Sequence, residues 1–213
     1  MRHEWIALIV LSQVLCGGGP IAAQSQDTRY VIALANRRFT PQPGIEDALR
    51  EAVARAGAFP VYGIAQLPSP PDVATRAALA GAGVALEEYL GGNAYIAAFA
   101  PRPDVERLRA LVRWAGLLLA EDKLSPDICK GRFEDWARTP NGDVKVLVAF
   151  ERAADSSAVT RILAKHARRF RRHGPNEEWA AEIEPARIRE LAAENLVRWI
   201  EQGPHPMMPL SPG

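Results

Sequence analysis

Cysteine is nearly missing: the 213 residues contain only Cys16 and Cys129. Cys16 falls inside the N-terminal leader described below, which leaves Cys129 alone and excludes an intramolecular disulfide framework. Net charge is also close to absent, at +1 from 26 Lys and Arg against 25 Asp and Glu. No global field therefore selects nucleic acid or a membrane surface. Histidine is scarce, and His3, His166, His173 and His205 show no metal-ligand spacing among them. The adjacent acids Glu121-Asp122 and Glu177-Glu178 do not form a pair converging on one substrate. Gly81-Ala82-Gly83 lacks the strand, glycine loop and helix context of a phosphate cradle. No metal and no cofactor are expected.

What is present is an ordinary globular composition, 48% hydrophobic and 24% charged, with room for one or two domains. Residues 1–23 stand apart. Arg2 and His3 open a mostly apolar run from Ile6 to Leu15, Gly17-Gly18-Gly19-Pro20 breaks it, and Ile21-Ala22-Ala23 ends it in small residues. That order describes a secretory signal peptide cleaved near Ala23-Gln24. Its apolar run is too short for a bilayer, which needs roughly 20 residues. An export signal on a chain without disulfides suits bacterial secretion, so the expected location is secreted or periplasmic, with no membrane contact once the leader is removed.

The strongest internal signal is a repeat. Leu111-Val112-Arg113-Trp114 returns as Leu196-Val197-Arg198-Trp199, and Thr75-Arg76 as Thr160-Arg161, both 85 positions on. Tyr95 to Phe99 answers Trp179 to Ile183 at an offset of 84, and Val61 to Leu67 answers Val144 to Phe150 at 83. A duplicated unit with small loop insertions explains this drift.

Each copy reads as β-α-β-β-α-β. In the second, Val144, Val146, Val148 and Phe150 share one strand face, Asp155-Ser156-Ser157 caps a helix, and Val159, Ile162, Leu163 and His166 follow at helical spacing. Arg168 to Arg172 is the second strand with Phe170 inward, and Trp179, Ala181 and Ile183 line the third. A helix entered at Pro185 buries Ile188, Leu191 and Ala192, and Leu196 to Ile200 is the fourth strand. In the first copy the strands are Val61–Leu67, Val84–Tyr89, Ala94–Phe99 and Leu111–Ala115. Helices are entered through Pro70-Pro71-Asp72 and Pro103-Asp104, and Gly91-Gly92-Asn93 makes a turn. The expected fold is α+β: two tandem ferredoxin-like units with antiparallel sheets, preceded by the signal peptide and a strand-helix extension. The boundaries are 1–23 signal, 24–60 extension, 61–126 first unit, 127–143 linker, 144–202 second unit and 203–213 proline-rich tail. Each four-stranded sheet would carry two helices on one face and leave the other open. In the extension, Tyr30 to Leu34 is a strand and Ile45 to Ala56 a helix with Ile45, Leu49, Ala52 and Val53 on one face.

Several segments resemble the N-terminal region of secreted bacterial subtilisin-like serine peptidases, the subtilases. They are Arg38-Phe39-Thr40-Pro41-Gln42-Pro43-Gly44; Gly83-Val84 with Tyr89-Leu90 and Asn93-Ala94-Tyr95; Val112-Arg113-Trp114-Ala115 with Asp122-Lys123-Leu124; and Val197 to Pro204. The resemblance covers roughly residues 30–210. It implies a prodomain built of ferredoxin-like units that assists folding of the peptidase and blocks its active site. The open sheet face would pack on the protease, and the C-terminal tail would lie in its cleft like a substrate. The peptidase's Ser-His-Asp motifs are missing; the nearest relics, His173-Gly174 and Ser211, lie outside the required contexts. The chain ends at Gly213 where a catalytic domain would begin, so the expectation is either a fragment of a subtilase or a free-standing, non-catalytic prodomain-like protein. A structural or adhesion-type interaction module is the alternative.

The expected partner is therefore a subtilisin-like serine peptidase domain, in cis or in trans, and not nucleic acid. The expected contact residues are Pro206, Met207, Met208, Pro209 and Leu210, in a tail with four prolines in its last twelve residues that favour extended backbone. The basic run Arg161, Lys165, Arg168, Arg169, Arg171 and Arg172 contains no acid and could bind a polyanion or an acidic partner; without aromatic interleaving for base stacking, the reading preferred is a solvated helix end and edge strand. Trp114 and Trp199 read as core or sheet anchors, His166 as a partly buried structural histidine, and Cys129 as incidental.

Overall fold

The computed structural model describes residues 28–174 and 178–203. The expected signal peptide and the tail positions 206–210 lie outside these residues. The fold is α+β, with a short hairpin and two larger sheets.

Chain order begins with β1 (Ile32–Ala33) and β2 (Arg38–Phe39), an antiparallel hairpin, then β3 (Gly44–Ile45) and α1 (Asp47–Arg55). Next come β4 (Val61–Gln66), α2 (Val73–Gly81), β5 (Val84–Gly91), β6 (Ala94–Phe99), α3 (Val105–Leu111) and β7 (Trp114–Leu117). A short α4 (Pro126–Cys129) precedes the second set: β8 (Val144–Phe150), α5 (Ser156–His166), β9 (Arg169–His173), β10 (Glu178–Ile183), α6 (Ile188–Ala192) and β11 (Val197–Gln202).

Local chemistry explains the repeated helix starts. Asp72, Asp104 and Asp155 are N-caps whose carboxylates accept the amides of Thr75, Arg107 and Ala158 at 2.7, 3.0 and 2.7 Å. Gly92 and Asn93, both at φ 57°, form the two-residue turn joining β5 to β6.

The first sheet runs β3-β7-β4-β6-β5 and the second β11-β8-β10-β9. Numbering the four repeated strands 1 to 4 within each copy, both follow the spatial order 4-1-3-2. The ladder registers coincide as well. Trp114 lies opposite Gln66 and Trp199 opposite Ala149, while Ala97 lies opposite Gly63 and Ala181 opposite Val146. These pairs correspond at the 83-, 84- and 85-residue offsets read from the sequence.

Several expectations need correction. Leu111 is the last residue of α3, and the closing strand starts at Trp114, because α3 continues through its apolar face before the extended Val112 ends it. The first sheet has five strands and is mixed: β3, from the segment expected as a separate extension, pairs in parallel with β7. Helix α1 starts at Asp47, and Leu49 and Val53 bury against the same sheet face as Leu79 of α2 and Leu108 of α3. The opposite face of the first sheet is not open. The β1–β2 hairpin covers Ile64, Ala94 and Trp114, with Phe39 edge-on to Trp114 at 5.8 Å. Tyr62, farther along that face, packs into the second unit's core.

The expected linker 127–143 is packed structure. Ile128 and Ala137 join the core formed by Val144, Val146, Val148, Leu163, Ile183, Leu191 and Ile200. Its entry residue Leu124 bridges to Ile200, and the Ser125 amide donates to the Ile200 carbonyl at 2.9 Å. Of the two alternatives, core or sheet anchor, Trp199 is not a core residue: it is half-buried in β11 on the face turned away from α5 and α6, where it borders a cavity with Ala33, Leu34 and Ala35 instead of being packed under the hairpin as Trp114 is. Its indole N–H donates to Glu201 at 3.2 Å.

Candidate functional site

Two places combine accessible or titratable chemistry. The first is the face of the second sheet turned away from α5 and α6. Period-two alternation on β8 and β10 sends Val144, Val146, Val148, Ala181 and Ile183 inward. It leaves Lys145, Leu147, Ala180 and Glu182 on the outer face. On β9 the same register places Arg169, Arg171 and His173 outward. A depression of about 790 Å³ lies here, floored by Leu147 and Ala180 and bordered by Trp136, Lys145, Arg171 and Gly203. Gly203 is the last described residue, and its amide donates to the Lys145 carbonyl at 3.0 Å. The chain thus leaves β11 at the rim of the open face.

The second place is the seam between the two sheets. Asn195 stitches it: its side-chain carbonyl accepts the Tyr62 amide at 3.0 Å, and its amide group donates to the Pro60 carbonyl at 2.7 Å. The turn between β1 and β2 is clamped to the segment after β7. Asn36 donates to the carbonyls of Glu121 and Leu124, and Arg37 makes a two-pronged contact with Asp122, both at 2.7 Å. Asp122 also accepts the Leu119 amide at 2.8 Å. Replacing Asn195 with alanine strands a strand-initiating amide and a carbonyl at this seam. The expected loss is about 2 kcal/mol in urea unfolding; an unchanged midpoint contradicts the stitching role.

Charged groups are buried beside these stitches. Lys123 is 4% exposed, and its ammonium donates to the Glu194 carbonyl oxygen at 3.0 Å. Burial pulls its pKa down to about 8, against the opposing attraction of Glu151, Asp122 and Glu194. Glu151 is 3% exposed, and its Oε1 has no hydrogen-bond partner among the described residues. Burial, then repulsion from Glu87, pushes its pKa up to about 7, against attraction from Arg198 and Lys123. Both side chains border a cavity of about 360 Å³ whose apolar wall includes Leu34, Leu90, Ile96 and Leu118. Across the seam Arg198 pairs with Glu88 at 3.0 Å.

His166, expected to be partly buried, is almost fully buried, with Nε2 2.8 Å from Glu194 Oε1. Burial pushes the Glu194 carboxyl up, but hydrogen bonds from His166 and Lys165 outweigh it and leave the pKa lowered. Cys129 is a half-buried free thiol on α4. Among the described residues there is no group of three or more His, Cys, Asp or Glu placed to hold a metal ion. No described helix is long and apolar enough to cross a membrane.

The expected contact residues Pro206, Met207, Met208, Pro209 and Leu210 follow Gly203 in sequence but lie outside the described residues. The sequence reading missed Lys123, Glu151 and Asn195. Asp122-Lys123-Leu124 was conspicuous as a motif, but nothing local marked it as buried. Glu151 directly follows an alternating apolar strand, a position where a charge is ordinarily solvated.

Residues 33–119 match the model of a family described as a domain of unknown function (DUF8729). The match starts in β1 and ends just after β7, so it takes in the hairpin, β3 and α1 together with the first sheet. No curated protein and no solved structure matches the chain.

Proposed function

We propose that this chain is a non-catalytic, prodomain-like protein that docks on a subtilisin-like serine peptidase, assisting its folding or inhibiting it. In this reading each unit is ferredoxin-like, the leader directs secretion or periplasmic export, and the partner domain acts in cis or in trans. The β-α-β-β-α-β connectivity and the 4-1-3-2 strand order support the ferredoxin-like assignment. The observation that carries the functional reading is the relation between the open face and the chain exit. Among the described residues an apolar-floored sheet face of the second unit is uncovered, and β11 delivers the chain through Gly203 to its rim. A docked sheet and a substrate-like tail need that adjacency, because the tail must reach a cleft beside the surface on which the sheet rests.

The test is titration of residues 24–213 into several subtilisin-like peptidases, including any encoded by a neighbouring gene. Slow or tight inhibition is expected. Leu147→Glu, which places a charge on the floor of the open face, is expected to weaken binding roughly tenfold or more. Deleting residues 206–210 is expected to relieve inhibition while retaining binding. Absence of inhibition across all the peptidases would sink the reading.

A further inference from the structure

Among the described residues the edges of the two larger sheets are shortened, bulged or covered, except that of β9. β3 is only two residues long, and the free edge of β5 is interrupted by two register shifts around Tyr89. β11 is covered by Leu124 and Ser125, and Gln202 at its end accepts the Glu134 amide at 2.8 Å. Short strands, bulges and covering segments are the ordinary ways of preventing unwanted strand pairing. Among the described residues β9 has none of these three, and only its charges guard it. It is five residues long, pairs with β10 in an unbroken register from Arg169 to His173, and forms the outer edge of its sheet.

The side chains on that edge are all of one sign or apolar: Arg169, Phe170, Arg171, Arg172 and His173. The three arginines are exposed, and among the described residues none of them forms an ion pair. Arg168, immediately before the strand, is held by Asp143 at 2.9 Å. Cross-strand neighbours on the outer face include Glu182 opposite Arg169 and Glu178 opposite His173, but Lys145 stands on the far side of Glu182. The edge itself carries no acid.

We propose that β9 is a docking edge for an extended acidic segment of a partner protein, which adds as a further strand. Its free backbone groups would supply the ladder. Arg169 and Arg171, two positions apart on one face, would meet carboxylates at alternate positions of the incoming strand. The same charges keep the edge from pairing with itself, since two β9 strands side by side bring arginine against arginine. Arg169 and Arg171 also border the open face of the peptidase reading, but the proposal uses the backbone edge of the second sheet rather than the floor of its face or the tail, so Leu147→Glu is expected to leave acidic-peptide binding unchanged.

The experiment measures fluorescence anisotropy of a labelled short peptide alternating Glu with Val, added to residues 24–213. Saturable binding that weakens with salt is expected, together with slowed amide exchange in β9. Arg169→Glu with Arg171→Glu is expected to weaken binding at least about tenfold, while Arg161→Glu, on the exposed side of α5, leaves it unchanged. Arg171→Gln, a milder change, is expected to give an intermediate loss if the double variant melts early. A peptide with proline in place of its valines cannot complete the ladder and is expected not to bind. Equal binding of the proline peptide, no effect of the arginine variants, or binding of heparin or single-stranded DNA in place of the acidic peptide would each overturn the proposal.

Discussion

Trp114→Ala is expected to cost about 3–5 kcal/mol in urea unfolding, and Trp199→Ala only about 1–2 kcal/mol. The two residues occupy equivalent ladder positions in duplicated units, so intrinsic strand chemistry gives no reason for the difference. Cover supplies it. Trp114 is 4% exposed, stacked edge-on with Phe39 and packed with Ile32, Ile64 and Ala94. It also lies over Gly116, where an added Cβ would fall 2.4 Å from the indole ring. Gly116→Ala is therefore expected to destabilise through the same contact. Trp199 is half-buried, so its truncation loses part of an apolar surface and one hydrogen bond to Glu201. Equal losses for the two tryptophans would show that the hairpin is not what makes the first one a core residue. Loss of the β1–β2 cover, for example by Phe39→Ala, should then reduce the cost of Trp114→Ala, because the two mutations share one contact.

The repeat was legible because duplicated strands keep their register even where loops drift, and period two and helical spacing mark each element locally. Asp155 could be placed as a cap, and Asp72 and Asp104 as helix entries, from their neighbours alone. What surrounds each unit was not legible. β1, β2 and β3 are two-residue strands, too short to show a period; β3 pairs with β7 far along the chain, and the β1–β2 hairpin is placed by packing on Ile64, Ala94 and Trp114. For the same reason the sequence suggested two open sheet faces, whereas the hairpin and the second unit cover the first of them. The seam was invisible for a different reason. Lys123, Glu151 and Asn195 come from three separate segments, and the burial of the first two and the half-burial of Asn195 accompany the meeting of the two units at the seam. An isolated charged residue at a strand end or in a loop reads as solvated unless that packing is known.

Glu151 and Lys123 should give the protein a stability minimum near neutral pH. The Glu151 carboxyl titrates at about 7 in the folded protein instead of 4.5. A raised carboxyl favours the fold while protonated, so its contribution is complete below about pH 4.5 and is lost as pH rises through 7. The full difference is on the order of 3 kcal/mol. Lys123 is lowered from 10.5 to about 8, so the fold prefers its neutral form. Its penalty is complete below about pH 8 and is relieved as pH rises towards 10.5. The capping carboxylates Asp72 and Asp155, and Glu194, are shifted down and lose their contribution only in acid, below the window in question. Urea midpoints are therefore expected to fall between pH 5 and 7.5 and to recover above pH 8. Glu151→Gln keeps the shape, removes the titration and is expected to flatten the falling limb. Lys123→Met is expected to flatten the rising limb and, by removing an attraction, to push the Glu151 pKa higher still. Retention of the full pH 5 to 7.5 slope in Glu151→Gln would place its origin elsewhere. The limb matters for function because Glu151 sits where the two sheets meet: its amide donates to Leu196 of the second unit, and its carboxyl is repelled by Glu87 of the first. Ionisation at that point opposes the contact between the units, so the seam should open before either core does. Amide exchange at Tyr62 and Ser125 is then expected to rise with pH ahead of exchange in β8, after correction for intrinsic rates.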